Sequence, residues 1–108
     1  MKRTAKVERI TKETQILVKI NLDGTGKSEI ETGYQFMDHL LTALSKHSSM
    51  DIDIKAKGDL AHHIIEDIGI CLGAALDKAL KDKKGIRRFG SAYVPMDEAL
   101  VRAVLDLS

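Results

Sequence analysis

The stretch DIDIKAKGDLAHHIIEDIGI, residues 51–70, contains a strand pattern followed at once by a helix pattern. Residues 51–57 alternate strictly between charged and apolar side chains, which predicts a β-strand with one face exposed to solvent. From about residue 61 to residue 83 a helix is predicted, ending at Gly85. Its apolar stripe recurs every three or four positions: Ile65, Ile68, Leu72, Leu76 and Ala79.

Three strands and another helix are predicted before this stretch. Residues 6–22 predict two extended pieces with a break at Glu13. Residues 23–26 have the composition of a hairpin turn, and residues 28–32 predict a third strand. Residues 34–46 predict a helix with one apolar stripe: Phe36, Leu40, Leu41 and Leu44. The resulting order predicts an α+β protein, a two-layer α/β sandwich whose two helices cover one face of a four-stranded sheet.

The last part of the chain starts the strand pattern again. Residues 91–108 predict two extended pieces around a Pro-Met-Asp turn. Residues 105–108 resemble residues 20–23, and Glu98 matches Glu13 at the same offset. The similarity is either chance likeness between strands or a duplication, in which case one full repeat precedes the opening hairpin of a second. No predicted element packs on the apolar face of such a hairpin. We therefore expect that the chain is either a fragment or dependent on a partner.

Composition excludes several classes of protein. A chain of 108 residues provides for about one domain. Its formal net charge of +1 lacks the basic excess of a nucleic-acid-binding protein. No apolar run has the length of a membrane span, and the N-terminus has no secretion-signal pattern. The single cysteine, Cys71, excludes an internal disulfide and suits a reducing, cytoplasmic location. Its side of the second helix predicts a core residue.

The motif His62-His63-Ile64-Ile65-Glu66 opens the second predicted helix. Glu66 shares a helix face with each histidine, because residues three and four apart are neighbours on a helix. Two imidazoles and a carboxylate are suitable ligands for a divalent transition metal. Adjacent side chains diverge by about 100° on a helix, so the motif favours two ions, or one ion with ligands from different chains, over a closed zinc site. The alternative is an ordinary helix start with two surface histidines.

Four other residues each have a structural and a functional interpretation. His39 is either a metal ligand, with Asp38 accepting its second ring proton, or a hydrogen-bonded histidine at the helix edge. His47 has the position of a cation near a helix C-terminus. Glu13, at a strand break, is either a proton-transferring carboxylate or a solvated one. Arg88 suits a phosphate group or belongs to a solvated basic turn.

Taken in their order along the chain, these motifs resemble those of the imidazoleglycerol-phosphate dehydratases, the dehydratases of histidine biosynthesis. Several motifs in one register are far more specific than the histidine pair alone, and the resemblance extends over the whole chain. The matching segments are RITKET (9–14), KINLDGTG (19–26), FMDHL (36–40), AKGDL (56–60), HHIIED (62–67) and GIRRFGSAYVPMDE (85–98).

The resemblance implies a fold of two similar halves, each a β-β-β-α-β-α repeat of the ribosomal protein S5 domain 2-like type. It divides the chain into a first repeat at residues 1–89 and the opening hairpin of a second, truncated repeat at residues 90–108. The sequence departs from the family in two respects. Only Ala61 stands between Leu60 and His62, where many members have a longer acidic stretch, and most of the second repeat is absent.

The resemblance also implies an activity, the metal-dependent dehydration of imidazole glycerol phosphate to imidazole acetol phosphate. The implied manganese ligands, with two ions in each complete active site, are His39, His62, His63 and Glu66. The implied catalytic residues are Glu13 and Glu66. The residues implied to bind substrate are Glu13, His39, His47, His62, Glu66 and Arg88.

The same resemblance implies two kinds of partner. One is the phosphorylated imidazole substrate, and the other is further copies of the chain in a large symmetric homo-oligomer whose active sites are shared between subunits. Neither a nucleic acid nor a membrane is expected. The alternative is an inactive fragment, or a non-catalytic binding or assembly module on the same scaffold.

Overall fold

The computed structural model describes residues 2–108. In chain order its elements are β1 (Thr4–Ile10), β2 (Thr14–Asn21), β3 (Ser28–Glu31), α1 (Gln35–Ser48), β4 (Asp51–Gly58), α2 (Ala61–Leu80), β5 (Phe89–Met96) and β6 (Ala99–Asp106). The predicted strands and helices are thus confirmed in order and type, including the break at residue 13.

The first four strands form one sheet in the order β1-β2-β4-β3. β2 pairs in antiparallel orientation with β1 and with β4, and β3 runs parallel to β4. This sheet, covered by two helices, confirms the predicted two-layer α+β sandwich. The hairpin predicted at residues 23–26 is wrong, because β4 lies between β2 and β3 and those two strands do not pair.

Alternating apolar residues build the covered face of the sheet. Ile16, Val18 and Ile20 of β2 and Ile52 and Ile54 of β4 are almost fully buried, as expected where every second side chain points to the same face. Helix α2 covers them with side chains at helical spacing: Ile64, Ile68, Cys71, Ala75 and Ala79. Cys71 is almost fully buried in this cluster and is therefore a core residue, as predicted. The same burial raises the pKa of its thiol.

The apolar stripe predicted on the first helix faces the sheet only in part. Leu41 and Ser45 are the buried residues of α1. The Ser45 hydroxyl oxygen lies 2.6 Å from the Met50 carbonyl and 3.1 Å from the Lys27 carbonyl. These contacts fix the rotation of the helix and leave three side chains of the predicted stripe exposed: Phe36, Leu40 and Leu44. Ile65 of α2 is exposed in the same way.

Helix α2 ends at Leu80, a few residues before the predicted end near residue 83. Lys81 adopts a positive φ of 56°, and its N–H bonds back to the carbonyl of Lys78. The Leu80 carbonyl accepts a bond from the N–H of Lys83 at 2.9 Å. Leu80 is also the last buried apolar residue of the helix, so the chain turns where the buried apolar face of the helix ends.

Strands β5 and β6 form a separate two-stranded antiparallel sheet. Both predicted extended pieces are therefore confirmed, with Asp97 at positive φ in the turn between them. Every residue of both strands is exposed. The assignment of residues 90–108 to a second repeat stays a prediction. Neither helix within residues 2–108 meets the joint demands of length and apolar composition that crossing a bilayer imposes.

Asp51 anchors the turn that leads from β2 to β3. Its Oδ1 accepts bonds from the backbone N–H of Thr25 at 3.0 Å and of Lys27 at 2.9 Å. A side chain at Gly24 would overlap this carboxylate, because an added Cβ would lie 2.5 Å from Oδ1. The bonds from Lys27 and then Thr25 lower the pKa of Asp51.

We expect Asp51→Asn to be less stable than the wild type at neutral pH, with a difference that closes in acid. The amide oxygen keeps an acceptor, but the charge-assisted part of the bonds is lost. Because the folded-state pKa lies below the unfolded value of about 3.9, this stabilisation is present above that value and is lost as the pH falls through the folded pKa. Thermal unfolding from neutral to acidic pH measures the difference. The exposed Asp53→Asn is the control, and a gap that stays constant with pH would contradict the interpretation.

Candidate active site

The connection between β1 and β2 holds Glu13 in a tight turn. The Thr11 hydroxyl oxygen accepts bonds from the backbone N–H of Glu13 at 3.1 Å and of Thr14 at 3.0 Å. This arrangement fixes the backbone of the turn by a local side-chain contact. The Glu13 side chain itself remains 54% exposed, so its carboxylate is accessible while its backbone is held.

A buried contact fastens this turn to helix α2. The Thr14 hydroxyl donates to Oδ2 of Asp67, and both residues are buried. The Arg9 side chain adds a cation, with its Nε 3.6 Å from the same oxygen. The buried carboxylate is thus both hydrogen-bonded and charge-paired, as a buried charge requires. The contact joins residues that are 53 positions apart in the chain.

Gly58 allows the turn to approach the start of α2 closely. The Glu13 carbonyl accepts a bond from the N–H of Asp59 at 3.0 Å. A Cβ added at Gly58 would lie 2.7 Å from that carbonyl and 2.9 Å from side-chain atoms of Ile64 and Thr14. The strand end and the turn therefore touch through backbone atoms, which only the absence of a side chain permits.

His63 lies between two carboxylates on the first turn of α2. Its Nδ1 is 2.8 Å from Oδ1 of Asp59 and 3.5 Å from Oε2 of Glu13. The pKa of His63 is raised, first by the hydrogen bond to Asp59 and also by the negative charges of Glu13, Asp59 and Glu66. The hydrogen bond from His63 in turn lowers the pKa of Asp59. The structure therefore brings the predicted residues Glu13 and His63 together.

His62 and Glu66 complete the cluster at the start of α2. The rings of His62 and His63 have centroids 4.2 Å apart and are tilted by 56°, so the two imidazoles lie in contact and diverge less than adjacent helical positions predict. Glu66 lies near enough to His63 for its charge to raise the pKa of that imidazole. Nitrogen and carboxylate donors of this kind suit a divalent first-row metal. Within residues 2–108, however, one copy of the chain assembles no group of three such donors around a single point.

The first helix places His39 and His47 away from this cluster. α1 packs on β3 and β4, and α2 packs mainly on β1 and β2. Within the described residues, no Cα atom of one helix lies within 8 Å of a Cα atom of the other. Both histidines are exposed. Asp38 does not orient His39 as expected, because its Oδ1 accepts bonds from the backbone N–H and the hydroxyl of Thr32. That carboxylate ties the start of α1 to the end of β3.

Arg88 precedes the β5–β6 hairpin and has a carboxylate partner. Its Nε and Nη2 lie 2.6 Å and 3.2 Å from the two oxygens of Asp106. This pairing raises the pKa of Arg88, and the guanidinium also lies 5.1 Å from the centre of the Phe89 ring. Arg88 therefore links the two ends of the hairpin and does not contact the Glu13–His63 cluster.

Sequence reasoning missed Asp59, Asp67 and Thr14 as members of the site. Asp59 is four residues before His63, a spacing that brings side chains together on a helix, so a signal was present. The Thr14–Asp67 contact crosses the sandwich, and no local pattern marks it. Both Asp59 and Asp67 nevertheless lie within the segments that carry the family resemblance.

Comparison with known proteins identifies close relatives. A family model described as imidazoleglycerol-phosphate dehydratase matches residues 32–108. The protein of that name from Alcanivorax borkumensis is 61% identical over 110 residues, which cover 99% of this chain and 54% of the relative. The crystal structure of the Staphylococcus aureus imidazoleglycerol-phosphate dehydratase superimposes with a TM-score of 0.84 at 41% identity, covering 97% of this chain and 58% of that one.

A second solved structure shows the same likeness. The crystal structure of IGPD from Pyrococcus furiosus matches with a TM-score of 0.78 at 43% identity, covering 94% of this chain and 55% of that one. The chain spans about half the length of the curated relatives that it matches.

Proposed function

This chain belongs to the imidazoleglycerol-phosphate dehydratase family of histidine biosynthesis, and we propose from that premise that it contributes to the dehydration of imidazole glycerol phosphate to imidazole acetol phosphate. The proposal rests on one observation: the Glu13 side chain, from the turn between β1 and β2, lies 3.5 Å from the His63 ring at the start of α2. An accessible carboxylate beside an imidazole combines a proton acceptor with a group that orients it or binds a metal.

The donor set fits a manganese cofactor in type. His62, His63 and Glu66 offer two imidazoles and a carboxylate on adjacent helix positions, and His39 offers a third imidazole on α1. Because one copy brings no three of these donors together within residues 2–108, our proposal takes the ligands of each ion from more than one copy. Shared ligands require the large symmetric homo-oligomer expected above. Other divalent metals suit the same donors, so the choice of manganese rests on the family.

The chain's own carboxylates move the protons in this proposal. Loss of water from a glycerol side chain removes a hydrogen from one carbon and a hydroxyl group from the next. Glu13 accepts the carbon-bound proton, and the fixed backbone of its turn limits where the carboxylate can reach. Glu66, which would also hold an ion, relays a proton to the hydroxyl group so that it leaves as water. Manganese, when bound, would make the substrate's imidazole ring an electron sink that stabilises the charge formed during the dehydration.

Three further residues bind substrate in the proposal. His39 and His47 line the pocket from α1, and Arg88 holds the phosphate group. The Arg88 guanidinium already forms two bonds with Asp106, so the phosphate either joins that pair or replaces the carboxylate. The enzyme is proposed to work in the cytoplasm.

We expect His63→Ala to lower manganese affinity by at least about tenfold, because even the loss of a residue that only supports a metal ligand costs about 10–100-fold. Activity should fall in parallel. Elemental mass spectrometry after dialysis measures the manganese content. Turnover of imidazole glycerol phosphate measures the activity.

His47→Ala is the matched control, since it removes a histidine that is not a proposed ligand and should keep the wild-type manganese content. Unchanged manganese content in His63→Ala would contradict the ligand role. Absence of turnover by the wild-type protein with manganese present would contradict the proposed function itself.

A further inference from the structure

We propose that Asp59 is a positioning residue that holds His63 in the tautomer with its proton on Nδ1, which leaves the Nε2 lone pair free for a divalent cation. The inference rests on the proposed function, because it concerns how His63 serves as a ligand. The family resemblance assigns no role in the site to Asp59. Its contact with His63 is the shortest polar contact that this histidine makes with the carboxylates around it.

The geometry separates the roles of the two carboxylates. A neutral imidazole carries one N–H, which can donate to one acceptor at a time along its axis. Oδ1 of Asp59 lies at 2.8 Å from Nδ1, within normal hydrogen-bond range. Oε2 of Glu13 lies at 3.5 Å, beyond that range. Asp59 therefore accepts the proton of Nδ1, and Glu13 keeps its carboxylate available for the substrate.

The Asp59 carboxylate is itself held in place. Its Oδ1 also accepts a bond from the backbone N–H of Leu60 at 2.7 Å, and its own backbone N–H donates to the Glu13 carbonyl. The start of α2 has no side-chain cap at Leu60. These contacts fix Asp59 between the strand end and the helix, so that it orients the ring four residues later.

Tautomer choice matters for metal binding because only a ring nitrogen without a proton ligates an ion. A carboxylate that accepts the proton of the other nitrogen fixes the tautomer and the ring orientation, and makes the ligating nitrogen more basic. Without Asp59, a free imidazole favours the proton on Nε2, which blocks that nitrogen. Asp59 is thus expected to act on the cation through His63 without touching it.

The test combines a metal-free and a metal-bound measurement. Long-range ¹H–¹⁵N spectra of the metal-free protein, recorded at a pH at which His63 is neutral, identify the protonated ring nitrogen, and the His63→Ala spectrum assigns the signal. Titration with Mn²⁺ alone, following the free ion by electron paramagnetic resonance, gives the affinity. The variants are Asp59→Ala, Asp59→Asn and the control Asp53→Ala, which removes the same charge from an exposed position on β4.

We expect the wild type to carry the proton on Nδ1. Asp59→Ala should move it largely to Nε2 and weaken Mn²⁺ binding by about 10–100-fold. Asp59→Asn, which keeps an oxygen acceptor, should retain the wild-type tautomer and most of the affinity, and Asp53→Ala should match the wild type. Circular dichroism and the melting temperature confirm that each variant is folded.

The inference would be overturned by a wild-type His63 protonated on Nε2, or by an Asp59→Ala variant with the wild-type tautomer. An Asn variant that behaves like the Ala variant would also overturn it, because the acceptor would then have no effect. If the wild type binds no Mn²⁺, the proposed metal function fails, and the spectra of the metal-free variants still decide whether Asp59 sets the tautomer.

Discussion

Replacing Glu13 with glutamine should lower kcat by about 10²–10⁴-fold, the usual contribution of a positioned general acid or base, and leave manganese content unchanged. Glutamine has the same shape as glutamate but accepts no proton at neutral pH. The turn should survive the change, because its contacts use the Glu13 backbone and the Thr11 hydroxyl rather than the Glu13 side chain.

Steady-state turnover and metal analysis of an active preparation test this expectation. Glu29→Gln, the same change at an exposed position on β3, is the matched control and should keep the wild-type kcat. A Glu13→Gln enzyme with wild-type turnover would exclude Glu13 as the proton-transferring group. Loss of assembly together with activity would instead indicate a structural role for this residue.

The second large effect concerns the core. Ile54→Ala should reduce the free energy of unfolding by about 2–5 kcal/mol, the range seen when a buried isoleucine is truncated. Ile54 is 0% exposed. It lies in the middle of β4, opposite Val18 of β2 on one side and Ile30 of β3 on the other, so neighbouring strands limit how far the cavity can collapse.

Urea unfolding of both proteins, with slopes compared, measures this loss. The control is Ile10→Ala, the same truncation at a residue that is 65% exposed, for which a change within about 0.5 kcal/mol is expected. Equal losses at the two positions would show that burial in the sandwich does not determine the stability of the protein.

Local patterns were sufficient to predict most of the fold. The alternation in β4 and the helical stripe of α2 are properties of neighbouring residues, and they predicted both elements. The pairing of β3 was not predicted, because its partner β4 lies beyond helix α1 in the chain and takes the place between β2 and β3. The end of α2 was predicted too late. A glycine usually marks a positive φ after a helix, but here Lys81 adopts that conformation. The helix ends where Leu80 is buried, which depends on tertiary packing.

The site was also predictable only in part, because some of its contacts join residues that are far apart in the chain. The motif around His62 and His63 is local and marked the start of α2, and the strand break made Glu13 a candidate that the family resemblance then supported. The contact between Asp59 and His63 was open to prediction from spacing. The Thr14–Asp67 bond was not, because it depends on how the β1–β2 turn meets the helix across the sheet.

That long-range bond has a practical consequence for anyone who wishes to graft this chemistry onto another scaffold. Copying the histidine motif alone would transfer the proposed ligands and leave the Glu13 carboxylate behind. Three further features would have to be transferred together, because each helps to set the position of Glu13 relative to His63. They are the turn with Thr11 and Thr14, the glycine at position 58 and the buried Asp67.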